Sequence, residues 1–268
     1  MRGRVLVVAG SDSGGGAGIQ ADVKAITALG GFAMTAVTAL TAQDTTGVHG
    51  VHPVPAAFLR RQIECVLADL GADAIKTGML GDAATVALVA EVLAARAPGA
   101  PLVVDPVMVA KGGHALLATD AVDMVKRRLV PLAALLTPNL PEAEVLAGMP
   151  IRDLSAMRHA AAALLTLGAP AVLLKGGHLP GGTVVDLLAT EHGMEEFAAS
   201  RIDTRHTHGT GCTLASAIAA GLAQGMRLSD SVARARRYVH RAIATAPGYG
   251  TGHGPLNHAV TVDVGLLD

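Results

Sequence analysis

The amino-acid sequence predicts an α/β protein: a doubly wound, mostly parallel sheet with helices on both faces, in three α/β/α layers. Short uninterrupted apolar runs, such as residues 5–9 and 102–104, are typical of strands buried on both faces. These runs alternate with longer segments of helical spacing, through mostly short connections. The chain has 268 residues, 51% of them hydrophobic, and shows no linker or internal repeat, so we expect residues 1–268 to form a single domain.

Composition excludes several classes of function. Lysine and arginine total 21 against 22 acidic residues, and no long basic run occurs, so we expect no nucleic-acid partner. No uncharged apolar span approaches membrane length, and the N-terminal apolar run is too short for a signal peptide, so we expect a cytoplasmic protein with no membrane partner. Two cysteines make no secreted disulfide framework, and we expect Cys65 to be a small core residue.

The first strand, residues 5–9, leads into a glycine-rich loop at 10–18 and a helix at 19–29. The loop lacks the Gly-Lys-Ser/Thr ending of a P-loop and the full context of a dinucleotide fingerprint. Because loops after parallel strands line the ligand crevice, we interpret it as a substrate loop. Residues 32–41 are then rich in β-formers, and residues 48–54 predict an antiparallel excursion.

The rest of the chain repeats this alternation. Pro55 suits the start of one helix, and Asp82 and Ser155 suit the N-caps of two others. We predict helices at 55–70, from Asp82 to about residue 95, at 120–130, at 155–167, after residue 209 and at 229–246. The predicted strands lie at 74–77, 102–104, 134–137 and 171–174, with a closing hairpin that includes 183–188.

Two glycines flank a threonine, Gly209-Thr210-Gly211, just where a small, apolar helix must begin. The start of a helix leaves N–H groups without partners and carries partial positive charge, and glycine lets a ligand approach the backbone. The stretch therefore predicts an anion-binding turn for phosphate, with the thiol of Cys212 inside it. An ordinary turn before a helix has the same spacing, so spacing alone leaves both interpretations open.

Polar side chains follow several predicted strands at the point where each strand ends: Asp12, Asp105, Asn139, Glu142 and Lys175. Such ends are neighbours in an open parallel sheet. Acids with water hold Mg²⁺, and a lysine stabilises the charge of a γ-phosphate, so the set predicts phosphoryl transfer. Structural alternatives exist: Asp12 could shape the glycine loop, Asp105 could be a turn residue, Asn139 and Glu142 could cap a helix, and Lys175 could be solvated. The 11 histidines are scattered and predict no metal site.

A series of motifs makes the chain similar to a known family. They include Gly-Met-Leu-Gly-Asp at 78–82, Asp-Pro-Val-Met-Val-Ala-Lys at 105–111, Lys-Gly-Gly-His at 175–178 and Thr-His-Gly-Thr-Gly-Cys at 207–212. The chain resembles the bacterial hydroxymethylpyrimidine/phosphomethylpyrimidine kinases of thiamin synthesis, members of the ribokinase-like superfamily. The last string is specific, because sugar kinases of that superfamily carry aspartate where Cys212 stands.

The resemblance implies that ATP with Mg²⁺ phosphorylates 4-amino-5-hydroxymethyl-2-methylpyrimidine to its monophosphate and then to the diphosphate. It implies that Gln43 recognises the aminopyrimidine edge, since an amide both donates and accepts. Met79 and Val107 would flank the ring, with the backbone at Val107 in hydrogen-bond reach, and Asp22 would lie near the pocket. The expected partners are this pyrimidine and its monophosphate, and a second copy of the chain in a homodimer.

For the transfer step, the resemblance implies that Lys175 contacts phosphates and that Asn139 and Glu142 act through Mg²⁺ and its waters. We expect Asp105 to join Glu142 at the metal, also through water. The amides from Gly209 to Cys212, with Thr210 and Gly211 between them, would hold the charge that develops on the transferred group.

Cys212 is a candidate base, because a helix N-terminus lowers the pKa of a thiol. A thiolate beside a transferring phosphate is electrostatically unfavourable, and loose transition states need little help from a base. We therefore hypothesise that Cys212 occupies the proton-transfer position but contributes mainly positioning. Where the family pattern has a lysine in the last helix, this chain has Arg236, whose charge has a different geometry, so Arg236 stays outside the predicted site.

Two other functions stay open. A pyridoxal or pyridoxine kinase, or a dual-specificity enzyme of the same superfamily, would act on a similar hydroxymethyl heteroaromatic ring, and a cysteine could attack the aldehyde of pyridoxal. A non-catalytic pyrimidine-binding protein on a kinase scaffold would show a degraded glycine turn or no Lys175, and the sequence shows neither change.

Overall fold

The computed structural model describes residues 2–108, 116, 118–263 and 265. The strands are β1 (Arg4–Ala9), β2 (Phe32–Val37), β3 (Ala39–Gln43), β4 (Val48–Pro53), β5 (Ala74–Thr77), β6 (Leu102–Val104), β7 (Leu135–Leu136), β8 (Ala171–Leu174), β9 (Thr183–Thr190) and β10 (Gly193–Ser200). The helices are α1 (Gly18–Ala28), α2 (Ala56–Asp69), α3 (Ala83–Arg96), α4 (Thr119–Met124), α5 (Leu140–Ala147), α6 (Leu154–Leu165), α7 (Thr210–Ala223) and α8 (Leu228–Ala244).

The main sheet has eight strands in the order β10-β9-β8-β7-β6-β5-β1-β2. All neighbours from β2 to β8 pair in parallel, and β9 and β10 extend the sheet as an antiparallel hairpin. Alternate side chains of β1 face opposite cores: Leu6 and Val8 pack with helices α2 to α6, and Val5 and Val7 pack with α1, α7 and α8. The predicted three-layer, mostly parallel fold is confirmed.

The caps and ends of several helices differ from the predictions. Helix α6 begins one residue earlier than expected, and Asp153, not Ser155, caps it by accepting a hydrogen bond from the amide of Ala156 at 2.8 Å. The segment predicted as a helix at 120–130 changes its winding after α4, through a π turn at Val125–Leu129 and a 3₁₀ turn at Val130–Leu132. A proline in that last turn lacks the N–H that an α-helix requires.

Two local features were missed or predicted wrongly. Helix α5 is absent from the predicted elements, because the Asn-Leu-Pro-Glu stretch at 139–142 directly follows a strand and carries a proline, which resembles a loop as much as a helix start. Cys65 is exposed, not a core residue. The buried residues of α2 are Leu59 and Ile63, and Cys65 lies about 200° round the helix from Ile63.

Strands β3 and β4 form a separate two-stranded antiparallel sheet, which confirms the excursion predicted after β2. The backbone amide of Ser11 donates to the carbonyl of Ala39 at 2.8 Å and fastens this small sheet to the end of β1. A register shift between Ala42 and Gln43 interrupts the β3–β4 pairing where the side chain of Gln43 projects. None of the helices in the described part of the chain is long and apolar enough to cross a membrane.

Candidate active site

The carboxyl ends of the central parallel strands open into a cavity of about 1420 Å³. Cavities that hold one small ligand usually measure about 300–1,000 Å³, so this one has room for two. Its walls contain nearly all residues that the sequence predicted for the site: Gln43, Met79, Asp105, Val107, Asn139, Glu142, Lys175, Gly209, Thr210, Gly211 and Cys212. The sheet therefore brings together side chains that lie far apart along the chain.

The glycine turn before α7 is shaped for close approach. Gly209 has φ of 80°, and a Cβ there would lie 1.8 Å from the carbonyl oxygen of Gly16, so only glycine fits. The hydroxyl of Thr210 donates to the carbonyl of Thr207 at 2.7 Å. Within the described residues no side chain caps the start of α7. The amide of Thr210 makes a long hydrogen bond of 3.4 Å to the carbonyl of Thr207, and the N–H groups that follow it need a partner that an anion in the cavity could supply.

Lys175 lies at this helix start as a charged group. Its Nζ is 3.0 Å from Oδ1 of Asp105, and a Cβ on Gly211 would lie only 3.2 Å from the same Nζ. Burial by itself lowers the pKa of Lys175, but Asp105 and Glu142 outweigh burial and raise it. A fixed positive charge thus stands beside the glycine turn, where a phosphate would need it.

Asn139 and Glu142 form a capping box at the start of α5. The side chain of Asn139 accepts from the amide of Glu142 at 2.9 Å, and Oε2 of Glu142 accepts from the amide of Asn139 at 2.8 Å. The structural alternative considered for this pair is therefore real, although both residues also line the cavity. Burial raises the pKa of Glu142 to about 7, despite the opposing effect of Lys175.

The thiol of Cys212 differs from its expected state. Its pKa is raised to about 11, because burial outweighs the opposing charge of Lys76, and the carboxylates of Asp22 and Asp105 raise it further. The pKa of Cys212 is therefore raised, and the expectation that the helix N-terminus lowers it is wrong. Cys212 is a neutral thiol at neutral pH.

Met79 and Val107 line the same cavity as Gln43. The hydroxyl of Thr38 donates to the carbonyl of Met79 at 2.7 Å and fixes that backbone, and a Cβ on Gly10 would lie 2.4 Å from Cε of Met79. The amide of Val107 donates to the carbonyl of Asp105 at 2.8 Å, so its N–H is already used. Residues 109–111 of the motif that begins at Asp105 lie outside the described residues.

Asp22, which we predicted near the pocket, does not itself line the cavity but lies directly behind its wall. It is fully buried and pairs with Nζ of Lys76 at 2.9 and 3.0 Å. The hydroxyl of Ser216 also donates to Asp22 at 2.7 Å. Lys76, and not Asp22, lines the cavity. The sequence does contain a sign of this role, because Lys76 is a charged residue within a short, buried strand.

Arg236, which the sequence interpretation left out, lies in the cavity wall. Its Nε donates to Oδ2 of Asp186 at 2.7 Å, and its guanidinium lies 5.9 Å from the ring centre of Phe197. Oδ1 of Asp186 in turn accepts from the amide of Gly176 at 2.9 Å, the residue after Lys175. The sequence offered one sign that Arg236 belongs to the site: it occupies the position where the family pattern has a lysine.

The sequence analysis did not predict that Asp12 and His208 contact each other. Nε2 of His208 lies 3.0 Å from Oδ2 of Asp12 and 3.2 Å from the side-chain amide of Gln43. Asp12 also accepts hydrogen bonds from amides of its own glycine loop. Burial by itself raises the pKa of Asp12, but these hydrogen bonds, chiefly from His208, lower it.

Comparisons with known proteins agree with one another. The profile of the family described as phosphomethylpyrimidine kinase matches residues 12–257. The chain is 50% identical over 254 residues to the hydroxymethylpyrimidine/phosphomethylpyrimidine kinase of Streptomyces coelicolor, covering 95% of this chain and 93% of that protein. It is 53% identical over 262 residues to the thiamine biosynthesis bifunctional protein ThiED of Geobacter sulfurreducens, covering 98% of this chain but only 53% of that longer protein.

One solved structure widens the comparison. The pyridoxal kinase from Staphylococcus aureus in complex with AMP-PCP and pyridoxal superposes with a TM-score of 0.90 at 33% sequence identity. The match covers 98% of this chain and 96% of that one.

Proposed function

The chain belongs to the phosphomethylpyrimidine kinase family, and we propose that it transfers a phosphoryl group from ATP to 4-amino-5-hydroxymethyl-2-methylpyrimidine in thiamine biosynthesis. A second transfer to the resulting monophosphate gives the diphosphate. The observation that carries the proposal is one continuous cavity whose wall includes Lys175 and the glycine turn as well as Gln43 and Met79. Its size fits a nucleotide beside a small acceptor.

We assign the nucleotide phosphates to Lys175 and the N-terminus of α7. The lysine is charged and lies against Gly211, and the amides from Gly209 to Cys212, Thr210 included, begin a helix without a side-chain cap. Such fixed donors stabilise negative charge that develops on a transferring phosphoryl group. The complex of the similar Staphylococcus aureus pyridoxal kinase with AMP-PCP, an ATP analogue, supports ATP as the donor.

We assign the pyrimidine to Gln43, Met79 and Val107. The amide of Gln43 can accept from the exocyclic amino group and donate to the adjacent ring nitrogen. Met79 offers an adaptable apolar surface to the ring. Because the N–H of Val107 is already bonded to Asp105, its carbonyl is the polar group that this stretch offers to an amino substituent.

In the transfer, the acceptor hydroxyl oxygen forms a bond to the γ-phosphorus while the bond from phosphorus to ADP breaks. The pKa of Cys212 is raised to about 11, so its side chain is a thiol at neutral pH and we assign it a positioning role. The hydroxyl proton is lost to a phosphoryl oxygen or to water as the new bond forms, which a loose transition state permits.

The donor set fits Mg²⁺ held mainly through water. Asp105 and Glu142 are both nearly buried carboxylates that line the cavity. Oδ1 of Asp105 is engaged by Lys175, and Glu142 accepts from the amides of Asn139 and Met108. Mg²⁺ commonly binds one or two carboxylates and keeps several waters, which suits carboxylates that are partly engaged. When bound, the ion neutralises charge on the phosphates of ATP. The described residues contain no cluster of three or more ligands able to hold a metal alone.

The decisive experiment is product analysis by ³¹P NMR after incubation with ATP, Mg²⁺ and the hydroxymethylpyrimidine. We expect the monophosphate first and the diphosphate later. A reaction that stops at the monophosphate would contradict the second transfer, and no phosphorylated pyrimidine would contradict the whole proposal.

The second candidate function is a pyridoxal kinase activity, either alone or together with the hydroxymethylpyrimidine kinase activity. It is favoured by the TM-score of 0.90 to the Staphylococcus aureus enzyme with bound pyridoxal, whereas identities near 50% favour the pyrimidine. Comparing kcat/KM for both acceptors decides between them, and a clear preference for pyridoxal would overturn the first proposal. The intact glycine turn and Lys175 support catalysis over simple pyrimidine binding.

Three broader predictions accompany the proposal. We infer a homodimer, a cytoplasmic location and a single domain at residues 1–268 from the family resemblance and the sequence. Light scattering on the purified chain would measure whether it is a homodimer. The chain spans about half the length of the bifunctional protein of Geobacter sulfurreducens, and the proposal covers only the kinase activity.

A further inference from the structure

Gln43 belongs to a set of hydrogen bonds whose donors and acceptors must be consistent. One end of its side-chain amide lies 3.2 Å from Nε2 of His208, and the other lies 3.3 Å from Oγ1 of Thr41. The same Nε2 is 3.0 Å from Oδ2 of Asp12. The same Thr41 hydroxyl donates to the carbonyl of Ser11 at 2.8 Å.

Asp12 determines which nitrogen of His208 carries the hydrogen. Its carboxylate is buried and accepts from the amides of Gly16 and Ala17, so it is an ionised acceptor. Nε2 of His208 must therefore donate to it. A protonated Nε2 has no lone pair, so the end of Gln43 that faces His208 must be an acceptor, the oxygen Oε1.

Thr41 determines the other end independently. Its single hydroxyl hydrogen goes to Ser11 at the shorter distance of 2.8 Å, so Thr41 can only accept from Gln43. With Nε2 of Gln43 towards His208, at 3.2 Å, two N–H groups would oppose each other. A half-turn, which keeps the shape of the carboxamide, puts Oε1 towards His208, where it shares the single Nε2 hydrogen with Asp12, and puts the NH₂ group towards Thr41. No two donors then face each other.

We propose that Asp12 and His208 lock the amide of Gln43 in this orientation, and that the lock selects a 4-amino pyrimidine over a 4-oxo pyrimidine. The inference rests on the proposed function, in which Gln43 meets the aminopyrimidine edge. That edge presents an N–H donor beside a ring-nitrogen acceptor, and a 4-oxo edge presents the reverse order. A freely turning glutamine pairs with either edge, whereas a locked one pairs with only one. His208 is thus a positioning residue that determines specificity.

The test compares kcat/KM for 4-amino- and 4-oxo-5-hydroxymethyl-2-methylpyrimidine with ATP. His208→Phe keeps a ring but loses the donor, and His208→Gln keeps an N–H donor near the position of Nε2. We expect the wild type to prefer the amino compound, His208→Phe to lose about tenfold or more of that preference, and His208→Gln to retain most of it. Equal losses on both substrates in His208→Phe would make His208 merely structural and overturn the proposal.

A second measurement does not depend on any variant folding. The imidazole ¹⁵N shifts of His208 in the full-length protein report which nitrogen carries hydrogen, and we expect a hydrogen on Nε2. Neutral His208 with its hydrogen on Nδ1 alone would overturn the lock. If the wild type phosphorylates neither pyrimidine, the proposed function fails. If it phosphorylates the amino compound while the preference is unchanged in His208→Phe, only the lock fails.

Discussion

The thiol of Cys212 shows how a residue's surroundings can outweigh its position. The start of α7 should favour a thiolate, yet the pKa of Cys212 is raised to about 11, chiefly because the group is removed from water. No sequence pattern reveals this balance, because the charged neighbours of the thiol come from α1 (Asp22), β5 (Lys76) and the residue after β6 (Asp105). The motif predicted the placement of the thiol but not its protonation.

Replacing Cys212 by alanine should leave kcat within about tenfold of the wild type, since a neutral thiol provides no base. Cys212→Asp is the matched comparison, because it introduces a carboxylate at the same place. The measurement is kcat against pH for both variants. A loss of a thousandfold or more in Cys212→Ala, restored by Cys212→Asp, would establish a base role and contradict the positioning role.

Glu142 makes stability depend on pH in a direction that its pKa fixes. A folded pKa of about 7 lies above the ordinary value of 4.5, so the folded protein holds this proton more tightly than the unfolded chain. The resulting stability is fully present below about pH 4.5 and is lost as the pH rises through 7. Glu142→Gln preserves the capping box but cannot titrate.

Relative to the wild type, Glu142→Gln should therefore gain stability as the pH rises from about 4.5 to 7.5, by up to about 3 kcal/mol. Urea unfolding of both proteins at several pH values measures this difference, and the titration of groups that do not interact with Glu142 cancels in it. A difference that stays constant with pH would contradict the raised pKa.

At the scale of elements, a buried ionic cross-link joins the segments that carry the site. Asp22 of α1 binds Lys76 of β5 and Ser216 of α7, so the helix after the glycine loop, the strand before Met79 and the helix of the glycine turn share one buried centre. The chain order of these elements was predictable from periodicity. Their common buried partner was not, because residue 22 lies 54 and 194 positions from the two side chains that it contacts.

Asp22→Asn should lower the free energy of unfolding by about 3–5 kcal/mol, because it leaves the charge of Lys76 buried without compensation. Adding Lys76→Met removes that charge and should recover part of the loss, so the two changes should be strongly non-additive. Ser216→Ala, which removes one hydrogen bond, should cost only about 1–2 kcal/mol. Urea unfolding of Asp22→Asn, Lys76→Met, the double variant and Ser216→Ala measures these values, and a cost below 1 kcal/mol for Asp22→Asn would contradict the cross-link.

For the whole molecule, the sequence predicted the layers and the sheet direction because both follow from local patterns: buried strands such as residues 5–9, helical spacing between them, and short connections. It also predicted that the strand ends meet, since that is a property of every open parallel sheet. It did not predict how α8 and the β9–β10 hairpin complete the cavity wall through Arg236 and Asp186, because that contact depends on tertiary packing.

The size of the cavity leads to a prediction for the whole protein. If the cavity of about 1420 Å³ holds acceptor and nucleotide side by side, each ligand at 100 times its Kd should raise the unfolding free energy by about 2.7 kcal/mol. Together, hydroxymethylpyrimidine and AMP-PCP should then raise it by nearly the sum, measured as a shift in the urea midpoint. Lys175→Met should lose the nucleotide increment and keep that of the pyrimidine, whereas Gln43→Ala should do the reverse. A combined effect no larger than the bigger single effect would mean that the ligands compete for one site.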